Sequence, residues 1–439
     1  MIQQSNFSEV LNSISDWIFL YSQAKSIPNI SSFPPLSLTV YEVFFCALFQ
    51  AKHPYRERNT MKTVTGIYTS AIIYHTNNPK TSIEPYALAQ IQMLCDNPAF
   101  EGSKIRIMPD VHPGKAGTIG FTATVGKQIL PQTVGIDIGC GITMARLSGK
   151  VRTDHFPKLD SLIREQIPSG SQIRRTLHRY ADHFHPEAFC CKNSINEVKA
   201  VLSLGSLGGG NHFIELDQDE NGCFYVIIHS GSRCLGKNIF DHYMKKGQKY
   251  LKKQGLHVPY ELTWLEGGLK EQYLNDLELT QQFAALNRKA ILDELLRGMK
   301  WKADTVISCQ HNYVDQTQNP PILRKGAISA QKDEPVIIPI HMKDGVILGK
   351  GLGNPDWNCS APHGAGRIMK RVDVGKHWTL SDYKKEMKGI YSPSISRRTL
   401  DEAPFAYRSL EEIRSAAADA VSIEKILRPV YNFKAGEEA

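Results

Sequence analysis

The segment TVGIDIGCGI, residues 133–142, holds one carboxylate, Asp137, and one thiol, Cys140, within a run of glycines. Such a run is too rich in glycine for a helix, and glycine accepts the positive φ angles of a tight turn. The segment therefore predicts a loop that aims both side chains at one point. A thiolate and a carboxylate held together repel each other, and a metal cation removes this repulsion while it deprotonates the thiol. A buried structural cysteine beside a glycine turn is the alternative that this segment alone leaves open.

Around this loop, the 439-residue chain has the composition of a globular protein, with 41% hydrophobic and 22% charged residues. The nine cysteines include no CxxC pair, so neither a zinc ribbon nor a thioredoxin-type motif is indicated. The longest apolar runs are too short to span a bilayer, and the first residues lack a signal-peptide pattern. These features predict a cytoplasmic protein without a membrane partner. The net charge of +8 is compatible with a polyanionic partner but does not require one.

Residues 1–60 differ from the rest, because they carry few charges and show neither a helical nor a strand period. We expect them to form an atypical N-terminal extension that is disordered or dispensable, with a functional start at Met61. Residues 61–439 are expected to form one domain of the mixed α+β class. Predicted strands cover residues 103–110, 117–125, 224–230, 304–309, 335–340 and 346–353, of which 224–230 and 304–309 are expected to be buried. Predicted helices cover residues 85–97, 269–296 and 409–427, the last beginning with the capping-box spacing of Ser409 and Glu412.

Three histidines stand beside predicted strand ends: His212 in GNHF, His229 in HSGSR and His311 in QHNYV. With Asp137 and Cys140 they form a candidate ligand set of mixed N, O and S type. A single histidine of this kind is more often a hydrogen-bonded structural residue, and no spacing rule shows that the five converge. One thiolate can bridge two metals, and two close metals suit phosphoryl chemistry. Zinc and manganese both fit these donors.

A fourth histidine, His363, precedes Gly364, Ala365 and Gly366 in the segment APHGAGR. We predict that these residues open a short helix, whose backbone N–H groups and dipole would receive an anion. A neutral imidazole placed there could attack a phosphorus centre. A helix-capping histidine is the alternative, and local sequence favours it.

Three cations, Arg233 in HSGSR and Arg324 and Lys325 in RKGA, are predicted to lie in loops. Arginine can clamp a phosphate with two hydrogen bonds, and lysine can bind it as a point charge. Solvated surface charge is the simpler explanation for each of them taken alone.

Eight motifs occur in the order that characterises the RtcB family of RNA ligases: PDVHPGK, GIDIGCG, GNHFIE, HSGSR, RKGAISA, GLGN, HGAGR and DEAPFAY. The chain resembles this family over roughly residues 61–435. The resemblance implies an RtcB-like catalytic domain, in which helices surround central β-sheets and a metal centre lies at strand ends. RtcB proteins use GTP and manganese to join RNA that ends in a 2′,3′-cyclic phosphate or 3′-phosphate to a 5′-hydroxyl end. Such RNA is therefore the expected partner in splicing or repair, and the need for an activating protein stays open.

The resemblance also implies a role for individual residues. It makes Asp137, Cys140, His212, His229 and His311 the ligands of two Mn²⁺ ions, with Cys140 as the bridge. It makes His363 the residue that becomes guanylylated. In the GTP site, Asn211 would lie beside the phosphates, Glu215 would accept from the guanine edge, and Lys434 would help to hold guanine.

The sequence departs from the family pattern in the segment IIPIHMKDG, residues 337–345. His341 stands where the family often has serine, and Lys343 replaces a glycine. A further change places Gln310, rather than histidine, before His311. These changes bear on nucleotide binding rather than on the metal ligands. They motivate a second hypothesis, a metal-dependent RNA-end phosphodiesterase with weakened nucleotide transfer, whereas the intact His363 argues against a non-catalytic RNA-end binder.

Overall fold

The computed structural model describes residues 60–435 except positions 76, 77, 79, 80, 116 and 150. The expected N-terminal extension lies outside these residues, apart from Thr60, at which the first strand begins. The division into an extension and a single domain over 61–439 therefore stays a prediction. Within the described residues, no helix has both the length and the apolar character that crossing a membrane requires.

The described chain alternates strands and helices, as the mixed α+β class predicts. The strands are β1 Thr60–Thr65, β2 Ser70–His75, β3 Ile105–His112, β4 Ile119–Thr124, β5 Gln128–Ile129, β6 Gly141–Ser148, β7 Phe213–Gln218, β8 Phe224–Ser230, β9 Leu265–Glu266, β10 Lys302–Gln310, β11 Asn312–Asp315, β12 Ile322–Lys325, β13 Ala327–Ser329, β14 Pro335–Pro339, β15 Val346–Gly351, β16 Ser360–Pro362 and β17 Val421–Lys434. The helices are α1 Pro85–Cys95, α2 Phe156–Gln166, α3 Glu197–Ser203, α4 Arg233–Lys253, α5 Gly267–Met299, α6 Arg371–His377, α7 Leu380–Glu386 and α8 Leu410–Ala416.

Two large sheets organise these elements. The first has six strands in the order β1-β2-β3-β4-β12-β11, and only its β2–β3 pair is parallel. The second is antiparallel, with seven strands in the order β10-β6-β8-β7-β17-β15-β14. This second sheet curls so strongly that its two edge strands approach each other, and the Cys309 sulfur of β10 lies 3.5 Å from the Pro335 carbonyl oxygen of β14.

The two faces of the seven-stranded sheet bury different side chains, because successive residues of a strand point to opposite faces. On the convex side, Ile214 and Leu216 of β7 pack with Ile291 and Leu295 of α5. On the inner side of the curl, Phe213 belongs to a second apolar cluster. Glu215 and Asp217 follow on that same inner side of β7. The fold thus places two acidic groups inside the curl, next to the end of the sheet that carries the histidines.

Most predicted elements are confirmed. The helix predicted over 85–97 is α1, and the region 269–296 forms one continuous helix, α5. Two predictions are wrong. The strand over 304–309 is largely exposed rather than buried, with Val306 55% exposed, because β10 is an edge strand.

The helix predicted over 409–427 ends after two turns. Ser409 caps it by accepting a hydrogen bond from the Glu412 backbone N–H, as expected, but α8 ends at Ala416. From Val421 the chain becomes β17, which pairs with both β7 and β15. Pairing on both edges satisfies the backbone hydrogen bonds of a central strand, and this tertiary gain overrides local helix propensity.

Candidate active site

The loop that carries Asp137 and Cys140 is shaped by the close approach of helix α5. Gly139 has φ +71°, and a Cβ added there would lie 2.9 Å from both the Ala284 Cβ and the Gln281 Cα. A larger residue would therefore push the helix away as well as strain the turn. The Cys140 N–H donates to the Asp137 carbonyl at 3.2 Å, which closes the turn. The glycines of the opening segment are thus explained by a tight turn beneath a packed helix.

Two side chains of α5 tie together the loops of the site. The buried Arg288 guanidinium donates to the carbonyls of Gly139 at 2.8 Å and Ser230 at 3.0 Å. The neighbouring Asn287 accepts from the Ser206 N–H at 3.2 Å and donates to the Ser206 carbonyl at 3.1 Å. These bonds link the loop of Cys140, the end of the strand with His229 and the segment that leads to His212. Sequence reasoning missed this pair, because both residues lie inside a long helix without a local signal.

All five predicted metal ligands converge at the ends of β6, β7, β8 and β10. The Cys140 Sγ lies 3.3 Å from the His212 Nε2 and 3.2 Å from the His229 Nε2. The His229 Nε2 in turn lies 3.3 Å from the His311 Nε2, and the His212 Nε2 lies 3.6 Å from an Asp137 carboxylate oxygen. Cys140 therefore stands at the centre of the set, with one group of donors on each side.

His229 and His311 are in the form that binds metals. Burial lowers the pKa of both histidines well below the ordinary value, and charge repulsion from neighbouring histidines, His363 among them, adds to this effect. Both imidazoles are therefore neutral at physiological pH. The His229 Nδ1 donates to the Asn211 carbonyl at 3.1 Å, which leaves a lone pair on the Nε2 that faces the cluster.

The thiol needs a cation before it can ionise. Burial, followed by the charge of Asp137, raises the pKa of Cys140 well above its ordinary value. For Asp137, burial is the largest influence and opposes ionisation, but the neighbouring His212, Cys140 and His229 side chains together outweigh it and lower the pKa to about 2. A carboxylate, a thiol and neutral imidazoles, all with acceptor atoms facing one another, fit a metal that would supply the missing positive charge. The Nδ1 atoms of His212 and His311 have no hydrogen-bond partner in the described part of the chain.

His363 adjoins this cluster and is fixed in one tautomer. Its ring lies 4.8 Å from the His311 ring, measured between centroids. The fully buried Asp110 accepts from the His363 Nδ1 at 2.6 Å and from its backbone N–H at 3.2 Å. The Nε2 therefore keeps its lone pair. Asp110 belongs to the quoted motif PDVHPGK, but the sequence alone gave it no role.

The helix predicted to open at residues 364–366 is absent there, since α6 begins only at Arg371. An anion cradle built on a helix dipole behind His363 is therefore wrong. Gly364, Ala365 and Gly366 nevertheless line a pocket together with His363. Gly366 has φ +68°, and an added Cβ would lie 2.2 Å from the Asp110 carbonyl oxygen, so this segment is pressed against the strand that orients His363.

One pocket contains the nucleophile candidate, part of the metal cluster and all the predicted nucleotide-binding residues. Its walls include His229, His311 and His363. They also include the whole predicted nucleotide set, which is Asn211, Glu215, Gly364, Ala365, Gly366 and Lys434. The fold thus brings residues from distant parts of the chain to one cavity.

Charges on the far side of this pocket are already paired. The buried Glu402 accepts from the Lys434 Nζ at 2.6 Å and from the Arg367 guanidinium at 3.4 Å, and it also pairs with Arg371. Burial would raise the pKa of Glu402, but these positive charges outweigh it and lower that pKa to about 2. Tyr407 donates to the same carboxylate at 2.6 Å. Glu402 and Tyr407 both lie in the motif DEAPFAY, which was the available signal for this network.

The three predicted phosphate clamps do not share one environment. Arg324 is a fully buried residue of β12, not a loop residue, and its guanidinium pairs with Asp315 at 2.9 Å and donates to Tyr313 at 2.8 Å. Lys325 is also buried in β12, and its Nζ donates to the Gln132 carbonyl at 2.8 Å. The prediction that both residues lie in loops is wrong, because β12 pairs with β4 and β11. The Arg324 guanidinium is already paired with Asp315, so the prediction that it binds phosphate is wrong as well.

Arg233 has a different setting from the other two cations. It is the first residue of α4, and its guanidinium donates to the Ser206 hydroxyl at 3.1 Å and the Gly170 carbonyl at 2.7 Å. A Cβ added at Gly208 would meet both the Arg233 guanidinium and the His212 Nδ1. Arg233 therefore stands directly beside the metal cluster.

The altered segment 337–345 closes one wall of the pocket. The His341 Nδ1 accepts from the backbone N–H groups of Lys343 and Asp344, at 3.4 Å and 3.2 Å. Its Nε2 lies 3.2 Å from an Asp344 carboxylate oxygen. Both ring nitrogens are therefore used within the loop, as expected for a substitution without a metal role.

These features define a candidate metal-dependent group-transfer site. The model of a family described as "tRNA-splicing ligase RtcB" matches residues 90–199 and 187–435. The chain is 29% identical over 371 residues to "RNA-splicing ligase RtcB" of Escherichia coli K12, which covers 75% of this chain and 90% of that protein. It is 26% identical over 418 residues to "tRNA-splicing ligase RtcB" of Aeropyrum pernix, covering 74% and 86% respectively. The chain belongs to the RtcB family.

Proposed function

We propose that this protein is a GTP- and Mn²⁺-dependent RNA ligase. It joins RNA that ends in a 2′,3′-cyclic phosphate or a 3′-phosphate to RNA with a 5′-hydroxyl, through a guanylylated His363. Membership of the RtcB family and the printed names of its relatives support the RNA ligase activity. GTP, two Mn²⁺ ions and the RNA end chemistry come from the family resemblance. The cytoplasmic location and an activating protein stay predictions of the same kind.

The setting of His363 carries the proposal. A histidine that attacks phosphorus needs a lone pair on the attacking nitrogen and a fixed ring. Asp110 provides both conditions, because it accepts the Nδ1 proton at 2.6 Å and so leaves the Nε2 free. The ring also borders both the pocket and the cluster around His311.

A 2′,3′-cyclic phosphate is first hydrolysed, since water adds to phosphorus and the P–O2′ bond breaks to leave a 3′-phosphate and a free 2′-hydroxyl. From the 3′-phosphate, the proposed reaction has three displacements at phosphorus. The His363 Nε2 attacks the α-phosphorus of GTP, so that an N–P bond forms and pyrophosphate leaves. The RNA 3′-phosphate then takes GMP from His363, and the 5′-hydroxyl finally attacks that activated 3′-phosphate and releases GMP. When bound, two metal ions would neutralise charge on attacking and leaving oxygens. Asp137, Cys140, His212, His229 and His311 would hold them, with Arg233 beside them as a cation for RNA phosphates.

GTP labelled at the α-phosphate provides the test. We expect covalent label on the wild-type protein in the presence of Mn²⁺ and none on His363→Ala. His341→Ala is the matched control, because His341 lines the same pocket but uses both ring nitrogens in its own loop, so this variant should keep the label. Equal labelling of His363→Ala and wild type would refute the assignment of the nucleophile.

The same preparations should be given RNA with a 2′,3′-cyclic phosphate. Joined product that depends on GTP and on His363 supports the ligase. Opening of the cyclic phosphate without any protein labelling would instead support the alternative, a metal-dependent RNA-end phosphodiesterase with weakened nucleotide transfer. That alternative is motivated by the altered loop at His341.

A further inference from the structure

Asp217 is a buried acid that the proposed reaction does not use. It follows Glu215 by two residues on β7, so both side chains lie on the same inner face of the curled sheet. Asp217 is 0% exposed and Glu215 is 3% exposed. Among the residues that the structure describes, no hydrogen-bond donor reaches either carboxylate oxygen of Asp217. A buried polar group in this state requires an explanation.

In the part of the chain that the structure describes, the neighbours of Asp217 offer it no positive charge. Its partners in the strand register are Tyr225 on β8 and Pro429 on β17. The Tyr225 hydroxyl is directed to Asp219, to which it donates at 3.0 Å. The remaining close ionisable group is Glu215, another acid.

Glu215, in contrast, has partners at the pocket wall. The Asn432 Nδ2 donates to its carboxylate at 2.6 Å, and the positive charge of Lys434 also favours its ionised form. The other charged groups of that wall, Arg367 and Arg371, are directed to Glu402. A negative charge on Glu215 is thus stabilised by a hydrogen-bond donor, whereas a negative charge on Asp217 would have no such donor among the described residues.

Two adjacent buried carboxyl groups cannot both ionise without a large penalty, so the pair retains a proton. Burial and the charge of Glu215 raise the pKa of Asp217 well above its ordinary value. Burial also raises the pKa of Glu215, but the Asn432 hydrogen bond and the charge of Lys434 oppose this rise. The retained proton therefore belongs on Asp217, which can donate it to the neighbouring Glu215 carboxylate.

We propose that Asp217 is a positioning residue that keeps its proton and donates it to Glu215, so that Glu215 remains a carboxylate acceptor for the guanine base. This inference rests on the proposed use of GTP. Guanine presents two donors on one edge, the N1–H and the 2-amino group, and an ionised carboxylate can accept from both. A protonated Glu215 would direct its own O–H at the N1–H of guanine, so that two donors would face each other. Adenine has an acceptor at N1 and would instead accept from that O–H. The pair would therefore favour guanine by fixing where its single proton lies.

Substitutions that keep or remove the donor test this inference through GTP affinity. We would measure GTP and ATP binding by calorimetry in the His363→Ala background, so that GTP is not consumed. Asp217→Asn retains a donor and should bind GTP within about twofold of the parent at pH 7. Asp217→Leu has no donor and should bind GTP on the order of tenfold more weakly at pH 7, since Glu215 then holds the proton. Its affinity should recover at pH 8.5, where Glu215 ionises, while ATP binding changes little at either pH.

Asp219→Leu is the matched control, because Asp219 directly follows β7, two residues after Asp217, but already accepts from Tyr225 and Lys425. The inference would be overturned if Asp217→Leu lost GTP affinity and did not regain it at pH 8.5. It would also be overturned if Asp217→Asn and Asp219→Leu lost the same affinity, since Asp217 would then have a structural role.

A second measurement does not depend on GTP or on the folding of Asp217→Leu. Infrared difference spectra between the wild-type protein and Asp217→Asn should show the band of a protonated carboxylic acid at pH 7, and its absence would overturn the inference. If that band is present but the parent protein does not bind GTP, the proposed function is wrong, whereas the inference that Asp217 keeps its proton is supported.

Discussion

The candidate metal cluster and the proposed guanine side of the pocket, around Glu402, both border His363, but their charges are balanced in opposite ways. In the cluster, acceptor atoms of Cys140, His212 and His229 face one another within 4.8 Å. On the guanine side, the buried Glu402 is surrounded by Lys434, Arg367 and Arg371. The first region brings together lone pairs that a cation could bind. In the second region, positive side chains of the protein neutralise the charge of Glu402.

This difference indicates what each region needs from its ligand. The cluster is electrostatically incomplete, since its two nearby arginines, Arg288 and Arg233, donate to backbone carbonyls and a hydroxyl of the loops. A metal would therefore be part of its structure. The charges around Glu402 are balanced without a ligand, so a base bound there would add hydrogen bonds to a charge network that already exists. Removing a residue should accordingly cost binding in the first region and stability in the second.

The largest effect is expected for Cys140→Ala. Cys140 lies within 3.3 Å of the donor nitrogens of two histidines, so its loss removes the ligand that both sides of the cluster share. We expect metal content to fall from about two ions per chain to well below one, with all activity lost. Elemental analysis after dialysis against limiting Mn²⁺ measures this.

Cys309→Ala is the control for this prediction. Cys309 lies close by in β10, two residues before His311, but its sulfur contacts the Pro335 carbonyl oxygen. This variant should keep full metal content. Wild-type metal stoichiometry in Cys140→Ala would contradict both the bridging role and the contrast drawn between the two regions.

An intermediate effect is expected for Glu402→Gln, and it should depend on pH. The folded-state pKa of Glu402, about 2, lies below the value of 4.5 for a free side chain. Its ionisation therefore stabilises the fold above pH 4.5, and this contribution is lost as pH falls through 2. At pH 7 we expect the variant to lose about 3 kcal/mol of unfolding free energy, as the size of the pKa shift implies.

Urea unfolding at pH 7, 5 and 3 measures this effect, and the difference between wild type and variant should shrink at pH 3. The exposed Glu411 gives the control, since Glu411→Gln should leave stability unchanged at every pH. A difference that is constant over this range would mean that the network is not held by the charge of Glu402.

The candidate metal ligands could be selected from the sequence because their residue types and strand-end positions both carry information, and their metal binding stays a prediction. Cys140 lies in a glycine turn, and His229 ends a strand of buried residues, so each is visible locally. Their convergence was not visible, since it depends on strand order. The order β10-β6-β8-β7 places the ends of four strands side by side, although the residues are far apart in sequence.

The supporting residues could not be predicted for a related reason. Asn287 and Arg288 lie within a helix whose local pattern shows only that it packs, and their importance comes from the loops that they reach. The prediction for Arg324 was wrong, since the segment RKGA was expected to be a loop, but strand pairing with β4 and β11 buries this residue. Burial of a charge follows from tertiary pairing, and local sequence does not encode that pairing.

The smallest effect is expected for His341→Ser, which restores the residue that the family often has at this position. Both nitrogens of His341 are engaged with Lys343 and Asp344 inside the loop, so neither faces the metal cluster. We expect unchanged metal content and a change of less than about threefold in GTP affinity, because only the wall of the pocket is altered. Elemental analysis and calorimetry on one preparation measure both. Loss of a metal ion in this variant would make His341 a sixth ligand. The contrast between the two regions would then be wrong, since one residue would both bind metal and form the wall of the pocket.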